Sequence, residues 1–131
     1  MKKISIDTNI YVGFKLGNKE VVKTLRRCDM IGVDVTVIAE LLSGFVTGSK
    51  TQKNISELEE FLSTPRVQIL EHNFNTSEYY ANIFKALKNK GTPIPTNDIW
   101  IASSAMQNGL SLYTLDRHFE KIEGILLFLI D

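Results

Sequence analysis

Cysteine is nearly missing from this chain, and that narrows the chemistry it can hold. Among 131 residues only Cys28 is present, so no internal disulfide can form and no cysteine-based zinc set is available. Cys28 falls on the apolar side of a helical pattern and reads as a small core residue. The two histidines, His72 and His118, are not at zinc-ligand spacing, which argues against a structural zinc site. Proline is scarce: Pro65, Pro93 and Pro95 punctuate junctions, and no Pro/Gly/Ser-rich linker, repeat or low-complexity tract divides the chain. No apolar run approaches the roughly 18 residues that cross a bilayer, so no membrane association is expected. The opening Met1-Lys2-Lys3-Ile4-Ser5-Ile6-Asp7 is too short and too soon acidic for a secretory signal, and the expected location is the cytoplasm. Net charge is also lacking. Fifteen basic and 15 acidic side chains cancel, which leaves no global field to draw in nucleic acid. Lys50 with Lys53, or Arg117 with Lys121, could form local phosphate-holding patches, against the plainer reading of solvated surface.

What is present is enough for one core. At 44% hydrophobic content, the 131 residues are expected to form a single domain over 1–131. Apolar runs read as strands near residues 3–7, 33–37, 66–70, 111–115 and 125–129. Helical spacing of three and four marks Val21, Val22, Leu25 and Cys28; Ile38, Leu41, Leu42 and Phe45; Ile55, Leu58 and Leu62; and Tyr80, Ile83, Phe84 and Leu87. Pro95-Thr96-Asn97-Asp98 reads as a further helix start capped by Thr96 or Asn97, with Asn108-Gly109 as its end. Alternating strands and helices predict an α/β fold, a three-layer α/β/α sandwich around a mostly parallel sheet. The run Ile125 to Ile130 fits a strand buried on both sides.

Four acids stand out by position. Asp7 closes the first apolar run and Asp116 follows Leu112-Tyr113-Thr114-Leu115, so both should emerge at carboxyl ends of strands, where ligands collect in open α/β sheets. An ionised carboxylate ending a buried strand must find a metal, hydrogen bonds or a cation. Asp116 can also be read as a turn residue, and Asp98 as a helix cap or first-turn acid. Periodicity places Glu40 with Ser43, Gly44 and Thr47 on the polar face of its helix, either solvated or bordering an open site. A fifth acid, Asp34, reads as structural, near the start of its strand and so at the opposite end of the sheet.

Clustered carboxylates repel unless a divalent cation neutralises them, and Mg²⁺ or Mn²⁺ is the cofactor suited to oxygen ligands. Such a site could activate water for phosphodiester hydrolysis with no nucleophilic side chain. Rival chemistries lack their signatures: there is no glycine-rich phosphate loop and no Gly-x-Ser-x-Gly elbow. Asn9 stands where a phosphoaspartate enzyme would usually carry a second aspartate.

Four segments, Ile6-Asp7-Thr8-Asn9-Ile10, Val37-Ile38-Ala39-Glu40-Leu41, Pro95-Thr96-Asn97-Asp98-Ile99-Trp100-Ile101-Ala102 and Thr114-Leu115-Asp116-Arg117-His118-Phe119, occur in that order along the whole chain. Together they resemble the signature segments of PIN-domain ribonucleases, most closely the small VapC-type toxins of bacterial toxin-antitoxin pairs. The resemblance implies that Asp7, Glu40, Asp98 and Asp116 are the catalytic, metal-binding acids, with Thr8, Asn9 and Thr114 as hydrogen-bonding neighbours. It implies that Glu40 faces the site. It further implies cleavage of transfer or ribosomal RNA with inhibition of translation, a homodimer, and a cognate antitoxin that covers the groove. The stripe Ile55, Leu58, Phe61 and Leu62 could contribute to that groove or belong to the ordinary core. Two alternatives remain: a PIN-type nuclease acting in RNA processing or on DNA flaps, and a regulatory module of the same fold that binds without turnover.

Overall fold

The computed structural model describes residues 2–129. Five strands, β1 (Lys3–Ile6), β2 (Met30–Asp34), β3 (Val67–Leu70), β4 (Ser111–Thr114) and β5 (Leu127–Leu129), form one sheet in the order β3-β2-β1-β4-β5. All four pairings are parallel. Six helices connect them: α1 (Thr8–Lys15), α2 (Lys19–Arg26), α3 (Val35–Val46), α4 (Thr51–Leu62), α5 (Phe74–Lys90) and α6 (Thr96–Gln107).

Successive strand residues point to opposite faces, so the burial of Ile4, Ser5 and Ile6 together, like that of Leu112, Tyr113 and Thr114, requires cover on both sides of the sheet. This is the three-layer α/β/α sandwich that the alternating pattern predicts. At the middle of β2, Gly32 is forced by packing: a Cβ there would lie 2.7 Å from Leu70 Cδ1 and 3.0 Å from Leu110 Cδ1. Among the described residues no helix is long and apolar enough to cross a membrane.

Several boundaries differ from the sequence reading. The second strand is Met30–Asp34 rather than 33–37, because the Asp34 carboxylate accepts from Thr36 N at 2.8 Å and starts α3 at Val35. Asp34 therefore ends its strand, at the same end of the sheet as Asp7, and is not at the opposite end. Cys28 lies past the end of α2 but is buried, with its thiol donating to Thr24 O. Phe84 sits on the outer side of α5, 47% exposed, while Ile83 and Leu87 are buried. The last strand is an edge strand with Leu127 and Phe128 only partly buried, not one buried on both sides, and Ile130 lies outside the described residues. Helix α1 and a 3-10 turn over Arg117–Lys121 are further elements, and fully buried Phe119 fastens that turn to the core.

Candidate active site

The sheet order reverses direction between β1 and β4, and this switch point opens a crevice at the carboxyl ends of the strands. Asp7 leaves β1 there, with its amide donating to Tyr113 O of β4 at 3.0 Å. Its side chain is 5% exposed and starts α1, where the partial positive charge of the helix N-terminus favours an anion. The two carboxylate oxygens are well supplied with donors. Oδ1 takes Thr8 N at 2.8 Å, and Oδ2 takes Thr114 Oγ1 at 2.7 Å and Asn9 Nδ2 at 3.4 Å. Thr114 also accepts from Asp116 N at 2.9 Å, and Asn9 Oδ1 accepts from Leu115 N at 3.2 Å. One buried threonine thus ties two of the acids together.

Glu40 reaches the same crevice from α3. Its Oε1 accepts from Thr8 Oγ1 at 2.6 Å and its Oε2 from Asn97 Nδ2 at 3.3 Å. Of the two readings left by periodicity, the open-site one describes this contact. Asp98 sits in the first turn of α6, whose N-cap is Pro95 with no side-chain capping bond; the expected Thr96 or Asn97 cap is not formed, and Asn97 turns to Glu40 instead. Asp116 starts the 3-10 turn, accepting from His118 N at 2.9 Å. All four acids line one cleft of about 810 Å³, together with Thr8, Asn9 and the exposed apolar side chains Val12, Leu16 and Leu115.

Burial, reinforced by neighbouring acids, disfavours ionisation in the cleft. Burial pushes the Asp98 carboxyl up from 3.8 to about 6; Asp7 and then Asp116 add to the rise, while His118 opposes it. Asp7 is also raised, by burial first; the Thr114 hydroxyl and Thr8 amide counter this, and Glu40 and Asp116 reinforce it. A divalent cation held among these carboxylates would resolve that conflict.

One participant is not legible from local sequence. His118 Nδ1 lies 3.2 Å from Asp116 Oδ2 and 3.5 Å from Asp98 Oδ2. Asp98, Asp116 and His118 each present a ligand atom within 4.8 Å of one another. Nothing in the spacing of His118 brings it to Asp98; only the placement of the 3-10 turn over α6 does. Other candidates lie elsewhere. Arg117 pairs with Glu120 at 2.6 Å, and Lys53 stands 4.0 Å from Glu57. Phe61 packs edge-on against Tyr11 at 5.2 Å and Leu58 is buried, so these members of the α4 stripe are core. Asp34 is fully buried and takes His72 Nε2 at 2.7 Å, so it has a partner of its own outside the cleft.

Comparison with known proteins agrees with this fold. The family model for the PIN domain matches residues 4–125. Ribonuclease VapC2 of Haemophilus influenzae is 31% identical over 125 residues, 93% of each chain, and Ribonuclease VapC2 of Rickettsia felis is 32% identical over 104 residues, 79% of this chain and 76% of that one. Among solved structures, VapBC2 from R. felis bound to a DNA fragment from their promoter superposes with a TM-score of 0.87 at 28% identity, covering 98% of this chain and 99% of that one. DNA-bound VapBC from Salmonella typhimurium gives 0.88 at 26% identity and 98% of both chains.

Proposed function

The chain belongs to the PIN-domain family, among its VapC ribonucleases, and from that premise we propose that it is the endoribonuclease toxin of a toxin-antitoxin pair. The single observation that carries the reading is the convergence of Asp7, Glu40, Asp98 and Asp116 in one cleft at the sheet switch point. In this reading the four carboxylates hold Mg²⁺ or Mn²⁺, which when bound would polarise the phosphodiester and lower the pKa of an attacking water. Thr114, Asn9 and Thr8 fix the carboxylates. Their donated hydrogen bonds orient Asp7 and Glu40 in advance, so that little reorganisation remains when an RNA strand enters.

Transfer or ribosomal RNA is the proposed substrate, arrest of translation the consequence, and the cytoplasm the place of action. The nuclease unit spans 1–131 and acts as a homodimer. The partner is a cognate antitoxin. Val12, Leu16 and Leu115 are 44%, 82% and 47% exposed at the cleft, and an antitoxin segment seated on them would bury apolar surface while obstructing the acids.

The test is inducible expression in bacteria with and without any small open reading frame found next to the gene. Growth arrest with new RNA 5′ ends, both suppressed by the neighbour, is expected. Expression without arrest and without new ends would overturn the toxin assignment.

A further inference from the structure

The acids leave an electrostatic problem that a metal ion only partly solves, because an RNA strand must approach four carboxylates in a chain of zero net charge. A compensating surface lies next to them. Lys19, Val22, Lys23 and Arg26 fall on one face of α2, and with Arg27 and Gly17 they line a groove of about 350 Å³. The opposite face, Val21 and Leu25, is buried in the core. All four cations are exposed, and among the described residues none is ion-paired within 4.0 Å.

The groove adjoins the cleft. Gly17 lines both, and Asn18 lines the cleft while its side chain caps α2 through Glu20 N and Val21 N. Cations in the last turn of a helix also complement its dipole. That does not account for Lys19, which occupies the first helical position, where a positive charge is disfavoured. The far end of the helix is held in place by the Arg66 guanidinium, which donates to Leu25 O and Cys28 O.

Resting on the ribonuclease reading, we infer that the α2 face formed by Lys19, Lys23, Arg26 and Arg27 is a track for the phosphate backbone of the RNA, leading across Gly17 into the acidic cleft. A helix of eight residues spans about 12 Å, long enough to face two or three phosphates of one strand. The contacts position the strand and carry no base specificity. Each phosphate neutralised on a single strand contributes about 0.7 to the slope of log affinity against log salt, a factor of about five at 0.1 M salt.

The test compares wild type with a Lys19→Gln, Lys23→Gln, Arg26→Gln triple variant, in which exposed glutamines keep the helix propensity, and with the charge-conserving Lys19→Arg, Lys23→Arg, Arg26→Lys variant. Binding of a short labelled single-stranded RNA is measured in an Asp98→Asn background across a salt titration, and cleavage of the same RNA in the otherwise wild-type background. The neutral variant should bind about 25-fold to 100-fold more weakly, as two or three cations engage, and lose about 1.4 to 2 from the salt slope. Its KM should rise while kcat stays within about twofold, and the charge-conserving variant should behave as wild type. Affinity and slope unchanged in the neutral variant, with wild type still cutting, overturn the track alone. Unchanged RNA binding with weakened antitoxin binding also overturns it, assigning the face to an acidic protein. Wild type that neither binds nor cuts RNA overturns the track and the ribonuclease reading together.

Discussion

Replacing Asp98 by Asn should stabilise the metal-free protein. The Asp98 side chain is 15% exposed, and burial with the neighbouring Asp7 and Asp116 lifts its carboxyl from 3.8 to about 6. A folded-state pKa above the unfolded one means that stability is fully present below the unfolded value and is lost as pH rises through the folded value. At about 1.36 kcal/mol per pH unit, ionising Asp98 in the folded state costs at most about 3 kcal/mol. Water at the cleft mouth screens much of this, and an asparagine gives up about 0.5 kcal/mol of favourable interaction with the α6 dipole. A net gain of about 1 kcal/mol remains, or about 4 °C in Tm for a chain of this size. Thermal melts by circular dichroism in EDTA should show that difference at about pH 7.5, its decline as pH falls below the folded value of about 6, and its loss only toward the unfolded value of 3.8. Saturating Mn²⁺ should reverse the order, because only the intact carboxylate set gains from binding. A variant no more stable than wild type in EDTA at about pH 7.5, or a difference independent of pH, would refute the reasoning.

Thr114→Val removes a buried hydroxyl that both donates to Asp7 and accepts from Asp116 N. It should cost about 2–4 kcal/mol in a denaturant melt and move the acidic limb of the cleavage profile to higher pH, because Asp7 loses a bond that holds its carboxyl down. Leu16→Glu, on a side chain 82% exposed, should leave Tm nearly unchanged and weaken antitoxin binding by about tenfold or more in calorimetry. His118→Gln should let the Asp98 carboxyl rise further, so that calorimetric Mn²⁺ titrations show half-maximal affinity at higher pH than wild type.

The carboxyl ends of β1 and β4 were legible because Asp7 and Asp116 each follow an apolar run, and alternation with helices identified the layers. Boundaries were harder where side-chain capping overrode propensity. Val35, Thr36 and Val37 are β-branched and read as strand, yet the Asp34 cap turns them into the first turn of α3. Asn97 looked like a cap, but in the fold its amide is drawn to Glu40, a partner 57 positions away. Glu40 itself was recognisable only through resemblance, since its role depends on Thr8 and Asn97 approaching from other helices. His118 was hidden for the same reason, its contact with Asp98 being tertiary. The cations of α2 are visible in the sequence, but that their groove adjoins the acidic cleft at Gly17 is a property of the fold.

The most direct test is cleavage of total cellular RNA by purified wild-type protein with Mg²⁺, with Mn²⁺ or with EDTA, beside the Asp98→Asn variant, with ends mapped by sequencing. Discrete cuts that need a divalent cation and vanish in the variant are expected. Cleavage that persists in EDTA, cleavage equal in the variant, or no cleavage with either ion would contradict a metal-dependent ribonuclease built on these four acids.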